Sequence, residues 1–325
     1  MKKLLRILKI AIISSLINQS LFGQILDHKM IQIISKKDTI SFASLSNNFN
    51  TAKPTVIFIQ GSQAIPIAIK ENNELKILLP FKYEAFLKDF NFVIINRKGV
   101  QISAVFDSIE NIQKKKSKEY TKNDNLVYRT YQAKTVLKYI RKQKWVDAKN
   151  IFVVGHSEGY RVAAKLSENN KFIKKLVCMS ADPFNRITEE INGLHIENSI
   201  LANDSLRVNR ILNNVKDYQS IEKINDYKKD YELYNWASYE KNLPINSFEK
   251  CKNPLLIVYG SNDKRAFNNY LIPFVLDKKN AEIKIYPDLD HNYFRKEFDK
   301  EGNPLEDSYH WDRVFSDVLN WLLNE

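Results

Sequence analysis

The sequence predicts an α/β fold, a mostly parallel central sheet with helices on both faces. Short β-branched runs alternate with longer segments of helical period along the chain. Several of those runs are apolar almost throughout, as strands buried on both faces are. With 325 residues, 44% apolar and 12% aromatic, the chain can fill one large domain, or one domain carrying an insertion. The same composition excludes disorder. After the first thirty residues no stretch nears the ~20 apolar residues that span a bilayer.

In chain order, Lys2, Lys3, Arg6 and Lys9 surround an apolar stretch that continues through Ile10–Ile17 and ends near Leu21-Phe22-Gly23-Gln24. A positive start, a short apolar middle and a small residue near its end form a secretory signal pattern. The expected boundaries are a signal peptide over 1–23 and a folded domain over 24–325, exported to the periplasm or beyond. The absence of a Cys after the apolar stretch argues against a lipid-anchored lipoprotein.

Met30–Ser35 and Thr39–Ala43 predict an opening pair of strands. Thr55–Gln60, Phe92–Asn96, Ile151–Val154, Lys175–Met179 and Leu255–Tyr259 predict buried strands, and the alternating Glu282–Tyr286 suits a strand nearer an edge. Helical period appears in Leu126–Lys142, with Val127, Tyr131, Ala133, Val136, Leu137 and Ile140 on one stripe. It returns in Tyr160–Leu166 and in Trp311–Leu323. The range 187–249 is rich in Asn, Lys, Asp and Tyr and has no convincing strand, so it reads as a helical lid insertion between the sixth and seventh core strands. Its aromatics (Tyr218, Tyr227, Tyr231, Tyr234, Trp236, Tyr239) either hold a substrate between their faces or anchor the insertion to the sheet.

Net charge is +12; Lys2, Lys3, Arg6 and Lys9 account for four of it, which leaves +8. The lysines are spread along the chain among Asp and Glu, and the run Lys114-Lys115-Lys116-Ser117-Lys118 sits in a polar connection. No nucleic-acid footprint results, and no stable membrane insertion is expected after signal removal. Association of a basic face with an anionic membrane surface is a subsidiary reading. Cys178 lies in an apolar run and reads as a buried thiol, although an oxidising compartment would permit a bridge to Cys251.

Gly155-His156-Ser157-Glu158-Gly159 carries the chemistry. It follows the Ile151–Val154 strand directly and precedes a helical segment directly. A serine on so tight a turn is held forward of the sheet, and the helix N-terminus offers N–H groups to a developing negative charge. A serine needs a base and an orienting acid. Asp263 falls in Gly260-Ser261-Asn262-Asp263, at the end of one strand; His291 falls in Pro287-Asp288-Leu289-Asp290-His291, at the end of the next. Asp182, after Lys175–Met179, is the reserve acid. Among the other histidines, His310 precedes the last helix, His156 faces the wrong way for a base, and His28 and His195 have no supporting context. Asp288, Asp290 and His291 lack a further His or Cys nearby, so no metal is expected, and no glycine loop for a nucleotide is present.

From about Met30 onward the chain resembles the α/β-hydrolase superfamily. Gly155–Gly159 is similar to its nucleophile elbow, Gly260–Asp263 to its acid loop and Asp290-His291 to its histidine loop. The resemblance implies that Ser157 is the nucleophile, His291 the base and Asp263 the residue that orients the imidazole. Phe58-Ile59-Gln60-Gly61-Ser62-Gln63 is similar to the oxyanion loop, with Gln60-Gly61 where members often have His-Gly and without the further glycine. That match implies the backbone N–H groups of Ser62 and Glu158 as oxyanion donors, with Gln63 the alternative to Ser62. Esterase- and dienelactone-hydrolase-like members are the nearest in character, prolyl-oligopeptidase-like peptidases next. The implied substrate is a small ester, thioester or short peptide, no cofactor is implied, and carboxylester cleavage is favoured. A binding protein that kept the fold and lost turnover is the alternative from another class. The Glu158 side chain either meets a substrate amine or bonds locally.

Overall fold

The computed structural model describes residues 27–35, 38–71, 74–198, 209, 212–213, 216 and 231–324. The expected signal peptide over 1–23 and two of the insertion's aromatics, Tyr218 and Tyr227, lie outside the described residues.

Eight strands make the central sheet: β1 Asp27–Ser35, β2 Asp38–Ser46, β3 Lys53–Ile59, β4 Asn91–Ile95, β5 Val146–His156, β6 Lys175–Met179, β7 Leu255–Gly260 and β8 Ala281–Tyr286. Their order across the sheet is β1-β2-β4-β3-β5-β6-β7-β8. β2 runs antiparallel to both neighbours, while β3 to β8 are mutually parallel. All eight predicted strands are therefore present. β4, β6 and β7 are buried at every position, as the continuous apolar runs require. β8 is an edge strand, and its residues alternate in exposure over most of its length.

Seven helices matter for the site: α1 Lys118–Asn123, α2 Leu126–Ile140, α3 Glu158–Ser167, α4 Arg186–Asn198, α5 Tyr231–Glu240, α6 Pro244–Lys250 and α7 Trp311–Leu323. Strand alternation divides the core between the two faces. Ile57, Val153, Cys178 and Ile257 pack with Val136 of α2 and Ala163 of α3. Val56, Phe58, Val154, Val177 and Val258 pack with Val314 and Phe315 of α7. Phe315 stacks on Phe81 at 3.5 Å, which ties α7 to the segment before β4.

Two details depart from the sequence expectation. Ala68–Glu71, Glu74–Ile77 and Ser103–Val105 form a small three-stranded sheet, in strands too short to display a period. On α2, Val127 is 60% exposed and Arg129 is buried in its stead, held there by partners described below. Between β6 and β7 the described residues form three helices, α4 to α6, and no strand. Both cysteines are free and buried.

Parallel β3, β5, β6, β7 and β8 have their carboxyl ends on one edge of the sheet. The loops that follow them are consequently neighbours, and the chemistry gathers there.

Candidate active site

Ser157 stands between β5 and α3 at φ 57°, ψ −123°, a backbone conformation that side chains other than glycine rarely adopt. Such strain costs ~1–3 kcal/mol and persists only where the surroundings over-determine it. Here the Ser157 N–H donates to Met179 O (2.9 Å), and Ser157 O accepts from the Tyr160 N–H (3.0 Å). The flanking glycines are steric requirements. A Cβ at Gly159 would lie 1.9 Å from Ile59 O, and one at Gly155 would lie 2.2 Å from Gly159 O. The loop after β3 also runs close to the elbow, since a Cβ at Gly61 would stand 3.1 Å from Ser157 Cβ. The N–H of Glu158, the first residue of α3, has no intrahelical acceptor.

Asp263 and His291 sit on loops that are laced together. Asn262 N–H donates to Leu289 O (2.9 Å), Asp288 N–H to Ser261 Oγ (2.8 Å) and Asn262 Nδ2 to Asp288 O (3.1 Å). Asp290 shapes the histidine loop, because its Oδ1 accepts from the N–H groups of Asn292 (2.8 Å) and Phe294 (2.9 Å). Both bonds converge on Oδ1 and hold the turn that follows His291. His156 supports the same loop from below: its Nε2 lies 3.0 Å from His291 O. Burial, helped by the nearby His291, lowers its pKa to about 3, so the ring is neutral and Nε2–H is the donor.

The three predicted residues meet in sequence. His291 Nε2 lies 3.0 Å from Ser157 Oγ, and His291 Nδ1 lies 3.0 and 3.1 Å from the two oxygens of Asp263. Asp263 also accepts from the Arg265 N–H (3.0 Å), so it forms a local turn as well as reaching the imidazole. Burial opposes ionisation of both partners, yet each offsets that for the other. Asp263 raises the pKa of His291 above its ordinary value, and His291 lowers that of Asp263.

Asp182, the reserve acid, is elsewhere. Its carboxylate accepts from Phe184 N–H (2.8 Å) and Asn268 Nδ2 (2.6 Å), and burial lifts its pKa to about 6. His310 occupies the N-cap position of α7 and contacts Ser308 Oγ (2.9 Å). His28 lies on β1, far along the chain from these loops, and the side chain of His195 is outside what is described.

Sequence reading did not foresee what surrounds Glu158. Its buried carboxylate is met by Arg129 Nη1 (2.5 Å), Arg97 Nη2 (3.1 Å) and Arg186 Nη1 (3.4 Å). Burial alone would lift this carboxyl, but the three guanidiniums outweigh it and hold the group at about 2. Asp124 pairs with Arg97 on the far side. The available signal was Arg129 itself, at helical spacing from Ala133 and Val136 and hence on the buried stripe of α2.

No family model and no curated protein sequence matches the chain. Solved structures do. Dipeptidyl peptidase 4 of Porphyromonas gingivalis superposes with a TM-score of 0.54 at 15% identity, over 91% of this chain and 35% of that one. Est1E from Butyrivibrio proteoclasticus superposes at 0.51 and 14% identity, over 90% of this chain and 97% of that one. This is the α/β-hydrolase fold. A putative dienelactone hydrolase from Klebsiella pneumoniae shares the α/β-hydrolase architecture at a TM-score of 0.51 and 12% identity, over 92% of this chain and 99% of that one. The chain spans about a third of the length of the peptidase, and nearly all of the other two.

Proposed function

We propose that this chain is a serine hydrolase that cleaves an ester or related acyl bond, with a carboxylester favoured. The observation that carries the reading is the hydrogen-bonded run Ser157–His291–Asp263 at 3.0 Å per link, set on a strained elbow. Ser157 Oγ attacks the acyl carbon as its proton passes to His291 Nε2, and the carbonyl oxygen becomes an oxyanion. The backbone N–H groups of Glu158 and Ser62 face the developing charge in this reading. Collapse of that intermediate breaks the bond to the alcohol, which leaves with the proton from Nε2. Water then repeats the sequence on the acyl-serine and releases the acid. Asp263 keeps the proton-bearing Nδ1 turned towards itself, so that Nε2 is free to accept.

Among structures of this fold, peptidases and hydrolases both superpose on the chain. Glu158 favours the ester. A peptide's ammonium terminus would need a carboxylate to meet it, and that of Glu158 is already engaged by three guanidiniums. Export by the 1–23 segment belongs to the same proposal and is checked by fractionating cells that express the full chain.

Labelling with a fluorophosphonate probe tests the reading. A single adduct at Ser157, absent from protein unfolded beforehand, is expected. A folded sample that takes up no probe and hydrolyses no short ester would favour a binding protein that retains the fold.

A further inference from the structure

Three consecutive carbonyls of the loop after β3 are each taken by a donor from behind. Gln60 O accepts from Arg129 Nη2 (2.7 Å), Gly61 O from Arg97 Nη1, and Ser62 O from the Tyr120 hydroxyl of α1 (2.9 Å). A peptide unit is planar and trans, so a fixed C=O also fixes the next residue's N–H, pointing the opposite way. Arg97 thereby aims the N–H of Ser62, and Tyr120 that of Gln63. Those are the two N–H groups on this loop that compete for the oxyanion.

The same two arginines converge on one atom, Oε1 of Glu158. Glu158 is the residue whose own N–H opens α3 and supplies the other donor. Arg97, Arg129 and Glu158 are each more than nine-tenths buried. Arg97 also lies with its guanidinium 5.1 Å from the Tyr120 ring centroid. Charges so enclosed have no solvent to turn to, which keeps the set in one arrangement.

We propose that Arg97, Arg129, Glu158 and Tyr120 form a positioning brace that fixes the two halves of the oxyanion pocket against each other, in the place of the second loop glycine that this chain lacks. A Gly-Gly loop reaches its conformation through backbone freedom. Gln60-Gly61-Ser62-Gln63 reaches it through donors that pin its carbonyls. None of the four side chains touches substrate; each acts through a backbone group. The brace rests on the serine-hydrolase reading above.

The test measures kcat and KM for p-nitrophenyl acetate, with thermal unfolding, for the wild type and for Tyr120→Phe, Arg129→Met, Arg97→Met and Arg97→Lys. Loss of one whole oxyanion donor lowers kcat ~100–1000-fold. A misaimed donor should fall short of that, so Arg129→Met is expected to lose about 10–50-fold and Tyr120→Phe about 5–10-fold, in kcat with KM little changed. Arg97→Lys should recover part of what Arg97→Met loses. Folded Tyr120→Phe and Arg129→Met proteins with wild-type kcat, or a loss wholly in KM, would overturn the brace. Should Arg129→Met fail to fold, Tyr120→Phe decides alone, because it removes one oxygen and no charge. A wild-type protein silent towards both the ester and the fluorophosphonate would instead sink the hydrolase reading and the brace with it.

Discussion

Asp263→Asn is the sharpest test of how the imidazole is held. The Asp263 side chain is fully enclosed, and its two oxygens do different work. Oδ1 accepts from the Arg265 N–H at 3.0 Å and lies 3.1 Å from His291 Nδ1, while Oδ2 lies 3.0 Å from Nδ1 and is not needed by the turn. An asparagine keeps the turn by placing its oxygen at the Oδ1 position. Its NH2 then falls where Oδ2 was and points a donor at Nδ1. His291 must answer with an unprotonated Nδ1, which moves its proton to Nε2 and leaves nothing to accept from Ser157. The wrong tautomer lowers kcat by about 10⁴ where such a pair has been broken this way, or roughly 5.5 kcal/mol at ~1.36 kcal/mol per decade. Thermal unfolding should change little, since the turn survives. The assay is ester turnover beside fluorophosphonate labelling, with Asp182→Asn as companion, expected to stay near wild-type activity. A folded Asp263→Asn protein within ten-fold of the wild type would refute the reasoning. Loss in Asp182→Asn instead would move the acid there.

Ser157→Ala should abolish turnover and labelling while the protein still unfolds cooperatively, checked by calorimetry; retention of near-normal activity would remove the central claim. Because His291 must be neutral to accept a proton and Asp263 raises its pKa above the ordinary 6.5, kcat/KM should climb with pH through a midpoint above that value. The stability sign is the reverse. A histidine with raised folded pKa contributes fully below its unfolded pKa and loses that contribution as pH rises through the folded one. Asp182 (about 6) and Glu240 (about 7), both lifted by burial, slope the same way, while His156, held at about 3, slopes oppositely below the ordinary 6.5; the thermal midpoint should therefore decline above that value, where activity rises. Gly159→Ala would set a methyl 1.9 Å from Ile59 O, between two backbones that cannot yield, and should prevent the elbow from forming, measured as loss of soluble folded protein.

What was legible in the sequence follows from period and position. The five inner strands β3 to β7 announced themselves as apolar runs, because parallel strands covered on both faces have no polar side to confuse the pattern. Ser157, Asp263 and His291 were legible because each lies on the loop that follows a strand's carboxyl end, and those ends share an edge in a parallel sheet. The short strands at Ala68–Glu71, Glu74–Ile77 and Ser103–Val105 were not, being four, four and three residues long. Nor was the Arg97–Arg129–Glu158 set, whose members come from three separate segments. An arginine on a buried helix face was in plain sight at position 129, but its partner 29 residues away was visible only in three dimensions. Val127 was misplaced for the same reason: the stripe rotates to bury Arg129, and Val127 turns outward.

The surroundings of Glu158 also bear on what the insertion does. Arg186, at the start of α4, is the outermost of the three guanidiniums, and it lies 4.1 Å from the Trp236 ring on α5. The N–H groups of Arg186 and Ile187 donate to Glu240 at the other end of α5, each at 3.1 Å. Asn235 donates to Thr121 O (2.6 Å), Ser238 accepts from Leu126 N–H (3.0 Å), and Tyr239 is enclosed. Of the aromatics in the described part, Tyr239 therefore anchors the insertion, as Trp236 does through its cation–π contact. The stem of the insertion is clamped to the helices that carry the brace. Three guanidiniums meet the carboxylates of Glu158 and Asp124 where that stem joins the elbow, and the Glu240 carboxylate accepts from the Arg186 backbone beside them. In the proposed reading the Glu158 carboxylate is thus engaged in holding this junction, and it is not left to meet a substrate ammonium.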